Sequence, residues 1–165
     1  LNSEYAAALN SMVFVGIAFG GPLHGFIATH FQHKRQWMLI ANGITIVLFA
    51  SLMLLPTGLI PLPLIFVQYF AIGFFVSSML LCFGIIRSHY PADSHASIFA
   101  FTNTLIAISG AAFQFLLGSV LAYVFDHRLN PRSFVYSILL LLVPLLLSWF
   151  CCLRIKKAVF LLPAK

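Results

Sequence analysis

Amides and hydroxyls set in apolar surroundings are the residues of this chain that could do chemistry, because no Asp, Glu, Lys or Arg stands well inside an apolar stretch. Asn10, Ser11, Asn42, Thr45, Gln68, Ser77, Ser78, Asn103, Thr104, Ser109 and Gln114 interrupt long runs of Leu, Ile, Val, Ala and Phe. An unpartnered amide in hydrocarbon costs roughly 2–7 kcal/mol, so each must bond a neighbouring helix or line a polar path. Asn10, Ser11, Gln68, Asn103 and Gln114 are the candidates for contact with a polar solute. Asn103 and Gln114 stand 11 residues apart, close to three helical turns, and can share a face. Hydrogen-bonding groups of this kind suit sugars, amino acids, nucleosides, drugs or a siderophore, and select none of them.

His24 is the one titratable side chain inside an apolar stretch, where it serves as a structural hydrogen-bonding group or as a protonation sensor. His30, His33, His89 and His95 follow no metal-ligand spacing. Cys82, Cys151 and Cys152 follow neither metal-site nor disulfide-framework spacing, and Cys82 reads as a small apolar filler. No metalloprotease helix motif, phosphate-binding loop or nucleophile elbow occurs. The expectation is no enzyme, no catalytic residue, no metal and no cofactor.

Five apolar stretches must position these groups, at about 5–29, 37–55, 64–86, 96–125 and 134–153. A helix needs about 20 apolar residues to cross the hydrocarbon layer, and each stretch suffices. Hydrophobic residues make up 62% of the chain and charged residues 7%, against roughly 25% charged in soluble domains. Runs such as 137–150 do not alternate, which argues against a β-barrel. The predicted fold is all-α, a multi-pass integral membrane protein of five transmembrane helices whose first partner is the lipid bilayer. The net charge of +6 does not imply nucleic acid, because the basic residues gather at helix ends.

Sidedness follows from those ends. Lys34, Arg35, Arg87, Arg154, Lys156, Lys157 and Lys165 fall on one side and only Arg128 and Arg132 on the other, seven against two. Cationic loops face the cytoplasm, so the carboxy terminus is expected there and the amino terminus outside, in a plasma or bacterial inner membrane. Pro56, Gly58, Pro61 and Pro63 separate spans two and three. Pro91, Asp93 and Ser94 close span three and offer caps for span four. Pro144 is expected to kink span five. Gly16 and Gly20, Gly21 and Gly25, and Gly110 and Gly118 recur at intervals of four or eight, which permits close helix packing in lipid.

The chain resembles the carboxy-terminal half of a major facilitator superfamily transporter. The family's loop between the second and third helices of a half runs Gly, three residues, Asp or Asn, Arg or Lys, one residue, Gly, then a basic end. Here Gly25 holds the glycine position, Thr29 the acidic or amide position and His30 the first basic one. Gln32 replaces the second glycine, and His33, Lys34 and Arg35 form the basic end. A Gly20–Gly21–Pro22 turn, the Arg87–Asp93 loop, and Gly110 through Gly118 look like the family's eighth, tenth and eleventh helices. The five spans are then helices eight to twelve, and residues 1–165 form one partial bundle.

That resemblance implies alternating access, in which two bundles rock about a central solute site. It implies Asn10 and Ser11 on a cavity-lining helix, Gln68 and Asn103 beside them, and spans two and five at the periphery. It also implies an opposing bundle, from a missing amino-terminal half or a second subunit, without which the chain does not transport. The opening at Leu1 agrees with a fragment or truncated product. The alternative is a small structural or assembly membrane protein whose polar residues bind partner helices.

Overall fold

A computed structural model of the chain describes residues 3–30, 34–54, 61–120, 122 and 139–154. They form an all-α bundle of six helices: α1 Ser3–His30, α2 Lys34–Leu54, α3 Leu62–Val76, α4 Leu80–His89, α5 His95–Ser119 and α6 Leu142–Arg154. The segments Glu4–Ile27, Lys34–Leu52, Leu62–Arg87 and Ala92–Ser119 are each long and apolar enough to cross a membrane. The fifth expected span is described only from residue 139, and α6 has 13 residues.

Proline punctuation explains most boundaries. Pro61 is the N-cap of α3 and Pro63 lies in its first turn, where a missing N–H leaves no helical bond unmade. The Pro61 carbonyl accepts from the amides of Leu64 at 2.9 Å and Ile65 at 3.3 Å. Tyr90, at φ −114° and ψ 149°, takes the extended backbone that a following proline demands and ends α4. Ser94 is the N-cap of α5 but makes no side-chain cap bond, because a 3₁₀ turn over Ala92–Ser94 precedes the helix.

One proline expectation is met and one is corrected. Residue 139 is helical, 140–141 form a turn and α6 starts at Leu142, so the fifth stretch is interrupted one turn before Pro144. The Leu140 carbonyl, to which Pro144 cannot donate, accepts instead from the Val143 amide at 3.1 Å in a tighter turn. The Gly20–Gly21–Pro22 stretch, expected to turn, is continuous helix inside α1. Gly20 here packs against Phe74 and Ser77.

The third span is broken in a different place. A 3₁₀ turn over Ser77–Met79 divides α3 from α4, and Ser77 and Ser78 are both buried there. The Ser77 hydroxyl donates to the Phe74 carbonyl at 2.7 Å, a local bond that competes with regular helix.

Packing is tightest between α1 and α3; α2 lies against both α3 and α6, and α4 touches α1. Met38, Ala41 and Thr45 of α2 are buried, and so is Cys152 of α6. A small cluster joins Met38, Leu81 and Cys152, with Trp37, Leu39 and Ile85 packed on it. Cys152 is the buried cysteine, whereas Cys82, expected as a filler, is exposed. No residue of α5 is buried, and this helix packs chiefly on α4 and the turn before it.

The distribution of side chains is inverted relative to a water-soluble fold. Phe14, Phe19, Phe101 and Phe115 are exposed, Phe115 by 79%, while His24, Thr45, Ser77 and Ser78 are buried. Such a surface suits lipid contact, where apolar bulk need not be hidden.

Candidate functional site

Glycine placement sets the centre of the bundle. A Cβ on Gly16 would overlap the Phe70 carbonyl oxygen and the Phe74 amide nitrogen, and one on Gly20 would overlap the Ser77 hydroxyl and the Phe74 carbonyl. Facing them, a Cβ on Gly73 would strike the carbonyl and Cα of Val13. Two backbones therefore touch across Gly16, Gly20 and Gly73, the approach that small residues allow in lipid. A Cβ on Gly21 would lie 3.3 Å from Leu80 Cδ1, a contact that a flexible side chain can yield to. Gly25, Gly110 and Gly118 meet nothing within 4 Å among the described residues, so no helix crossing passes over them there.

This close approach buries His24 against the broken span. Its Nδ1 lies 2.7 Å from the Gly20 carbonyl and 2.9 Å from Ser77 Oγ. A carbonyl only accepts, so Nδ1 carries the proton. Ser77 gives its own proton to Phe74 and receives from His24. The opposite ring nitrogen, Nε2, is buried with no hydrogen-bond partner among the described residues, and so is Nε1 of Trp37. The His24 and Trp37 ring centroids are 6.0 Å apart, and Phe74 lies 5.5 Å from His24 on another side.

Two half-buried amides tie helices together. Gln68 donates from Nε2 to the Leu48 carbonyl at 2.9 Å and to Ser51 Oγ at 2.7 Å, joining α3 to the end of α2. Asn42 donates to Ser148 Oγ at 3.1 Å, joining α2 to α6. Ser11 donates to the Ala7 carbonyl of its own helix at 2.9 Å, and Asn10 beside it is exposed. Asn103 and Gln114 are exposed on α5. The five solute-contact candidates are therefore not gathered into one pocket among the described residues.

The basic end of the loop motif holds α6. Arg35 donates from Nε to the Cys152 carbonyl at 3.2 Å and from Nη2 to the Leu153 carbonyl at 2.7 Å. These carbonyls lie in the last described turn of α6, where the helix dipole favours a cation. Trp149 Nε1 donates to the Leu39 carbonyl at 3.2 Å, so Arg35, Leu39 and Asn42 run antiparallel along Leu153, Trp149 and Ser148. His30 Nδ1 donates to the Phe26 carbonyl at 3.0 Å, its ring stacked on Phe26. Lys34 is half-buried at the start of α2. Thr29 is helical but its side chain, like all of Gln32 and His33, lies outside the described residues.

Arg35→Gln is expected to loosen α6 from α2 by about 1–2 kcal/mol, because an amide reaches one carbonyl at most and carries no charge. Protection of the α6 amides in hydrogen exchange checks this: they should exchange faster while α1 and α3 are unchanged.

No signal in the sequence pairs His24 with Ser77, 53 residues away, or Arg35 with Cys152, 117 away. No group of three or more His, Cys, Asp or Glu able to hold a metal ion occurs among the described residues. Compared with protein-family models, curated proteins and solved structures, the chain matches none.

Proposed function

We propose that the chain is a membrane-embedded helix bundle of a secondary transporter that moves a small polar solute by alternating access. It is similar in plan to the carboxy-terminal half of a major facilitator superfamily carrier, and it acts as a carrier and not as an enzyme. The observation that carries this reading is α5. It is a spanning-length helix with no buried residue, yet it presents Asn103 and Gln114. Lipid alone would leave both amides unmet at a cost of a few kcal/mol each. An aqueous path shared with an opposing bundle meets them both. That opposing bundle comes from amino-terminal helices of a longer protein or from a second subunit. The excess of Lys and Arg at the Lys34, Arg87 and Arg154 ends places those ends in the cytoplasm of a plasma or bacterial inner membrane.

A second reading, a structural or assembly membrane protein, is favoured by Gln68 and Asn42, whose amides are both committed to neighbouring helices. Cysteine accessibility separates the two. With Cys82, Cys151 and Cys152 replaced by alanine, Asn103→Cys and Gln114→Cys are expected to react with a membrane-impermeant maleimide in native membranes. Reaction at neither position supports the assembly reading, since a partner helix would then cover both.

A further inference from the structure

We propose that His24 is a proton-binding site, and that a proton on its Nε2 displaces the Trp37 side chain from the His24 ring while leaving the α1–α3 contact intact. The inference rests on the membrane reading above but not on transport, and its readout involves no solute.

The asymmetry of the ring carries the argument. Nδ1–H is held by Gly20 and Ser77, and these bonds need the same Nδ1 proton in the neutral ring and in the imidazolium. Nothing on the α1–α3 side therefore changes when the ring charges. Nε2 differs. In the neutral ring it is a bare acceptor beside an indole N–H, and both are buried without a partner among the described residues. After protonation His24 Nε2 and Trp37 Nε1 are two buried donors with no acceptor among the described residues. A buried donor left unmet costs about 1–3 kcal/mol, and more when charged. His24 itself is 0% exposed, so water reaches Nε2 only if a neighbour withdraws. Gly16, Gly20 and Gly73 lock α3 in place by backbone contact, whereas Trp37 is a half-buried side chain at the start of α2. Trp37 is the neighbour that can leave.

No charge nearby is placed to neutralise the imidazolium. From α3 and its 3₁₀ turn His24 meets Phe74 and Ser77, and from α2 it meets Trp37. Among the described side chains, the other titratable groups on the packed elements are Tyr69 on α3, Lys34 and Arg35 on α2, and Cys82 and Arg87 on α4, and α1 itself carries Tyr5 and His30. Arg35 is committed to the α6 carbonyls, and Lys34 and Arg87 add positive charge. Glu4, on α1 itself, lies 20 residues back, about 30 Å along the helix. The proton must be met by water, and hydration moves the Trp37 ring aside.

The test uses the two tryptophans. Trp149→Phe leaves Trp37 as the sole indole, read by fluorescence in lipid nanodiscs between about pH 4.5 and pH 8. The expected result is a reversible red shift of emission with greater acrylamide quenching as pH falls. The change should spread over about two pH units, as one proton requires, with helix content by circular dichroism unchanged. Adding His24→Gln, neutral at every pH, should flatten the curve. A parent curve already flat, a shift that survives His24→Gln, or a parallel loss of helix overturns the proposal. Should His24→Gln fail to fold, ¹⁵N spectra of histidine-labelled parent protein decide instead. His24 Nε2 must gain its proton in step with the Trp37 shift while Nδ1 stays protonated; an uncoupled titration overturns the proposal equally. A chain that fails to carry solute yet titrates in this way loses the transport reading alone.

Discussion

Gly73→Ala is expected to separate α1 from α3 and to cost the bundle about 2–4 kcal/mol. On an exposed helix the same exchange is favourable by up to about 1 kcal/mol, because alanine is the better helix former. At Gly73 the sign reverses. The atoms that a new Cβ would meet are the carbonyl and Cα of Val13, which are backbone and cannot rotate aside. Relief requires the whole of α1 to move outward, which also parts Gly16 and Gly20 from Phe70, Phe74 and Ser77. In lipid the hydrophobic effect does not push the helices back together, so lost van der Waals contact is not recovered. Gly110→Ala provides the contrast, since nothing lies within 4 Å of its Cβ position among the described residues. Reversible unfolding in mixed micelles, followed by helical circular dichroism, measures both. Equal effects at Gly73 and Gly110 would falsify the backbone contact.

Removing the His24 ring is expected to have the next largest effect. His24→Ala deletes the donor to Gly20 and Ser77 and leaves a hole between Phe74 and Trp37. Large-to-small changes at buried sites cost about 2–4 kcal/mol, and the lost bonds fall within that range once Ser77 keeps its own donation to Phe74. The loss should appear mainly as faster unfolding of α1 and α3, where the ring is wedged. Ser77→Ala should cost less, about 1 kcal/mol, because Gly20 still receives the Nδ1 proton. The same micelle titration ranks the two, and a Ser77→Ala loss as large as that of His24→Ala would remove the ring from the centre of the packing.

Much of the architecture was legible before any contact was known. Spans one to four appear as helices of crossing length because an apolar run, ended by proline or by a cationic cluster, is a local property. Pro61, Pro63 and Pro91 mark boundaries for the same reason. Locality also explains the misreadings. Gly20–Gly21–Pro22 carries the residues of a turn, yet it is continuous helix, with Gly20 packed against Phe74 and Ser77. The 3₁₀ break at Ser77–Met79 has no glycine or proline to announce it and coincides with the buried His24 contact.

The candidate site divides along the same line. Composition alone identified His24, Gln68, Asn42 and Asn103 as polar groups in apolar runs, because an amide or imidazole in such a run is rare whatever it touches. Composition could not say that Gln68 is tied to Leu48 and Ser51, or that Asn103 stands exposed on a helix with no buried residue. Nor could it separate Gly16 and Gly20, pressed on α3, from Gly110 and Gly118, which have the same spacing logic and face open space among the described residues. Helix formation and apolar length follow from each segment's own residues, so the sequence determined them. Which faces meet depends on residues tens of positions apart being brought together, and only the tertiary structure decided that Arg35 holds α6 and that one nitrogen of His24 is held while the other is left bare among the described residues.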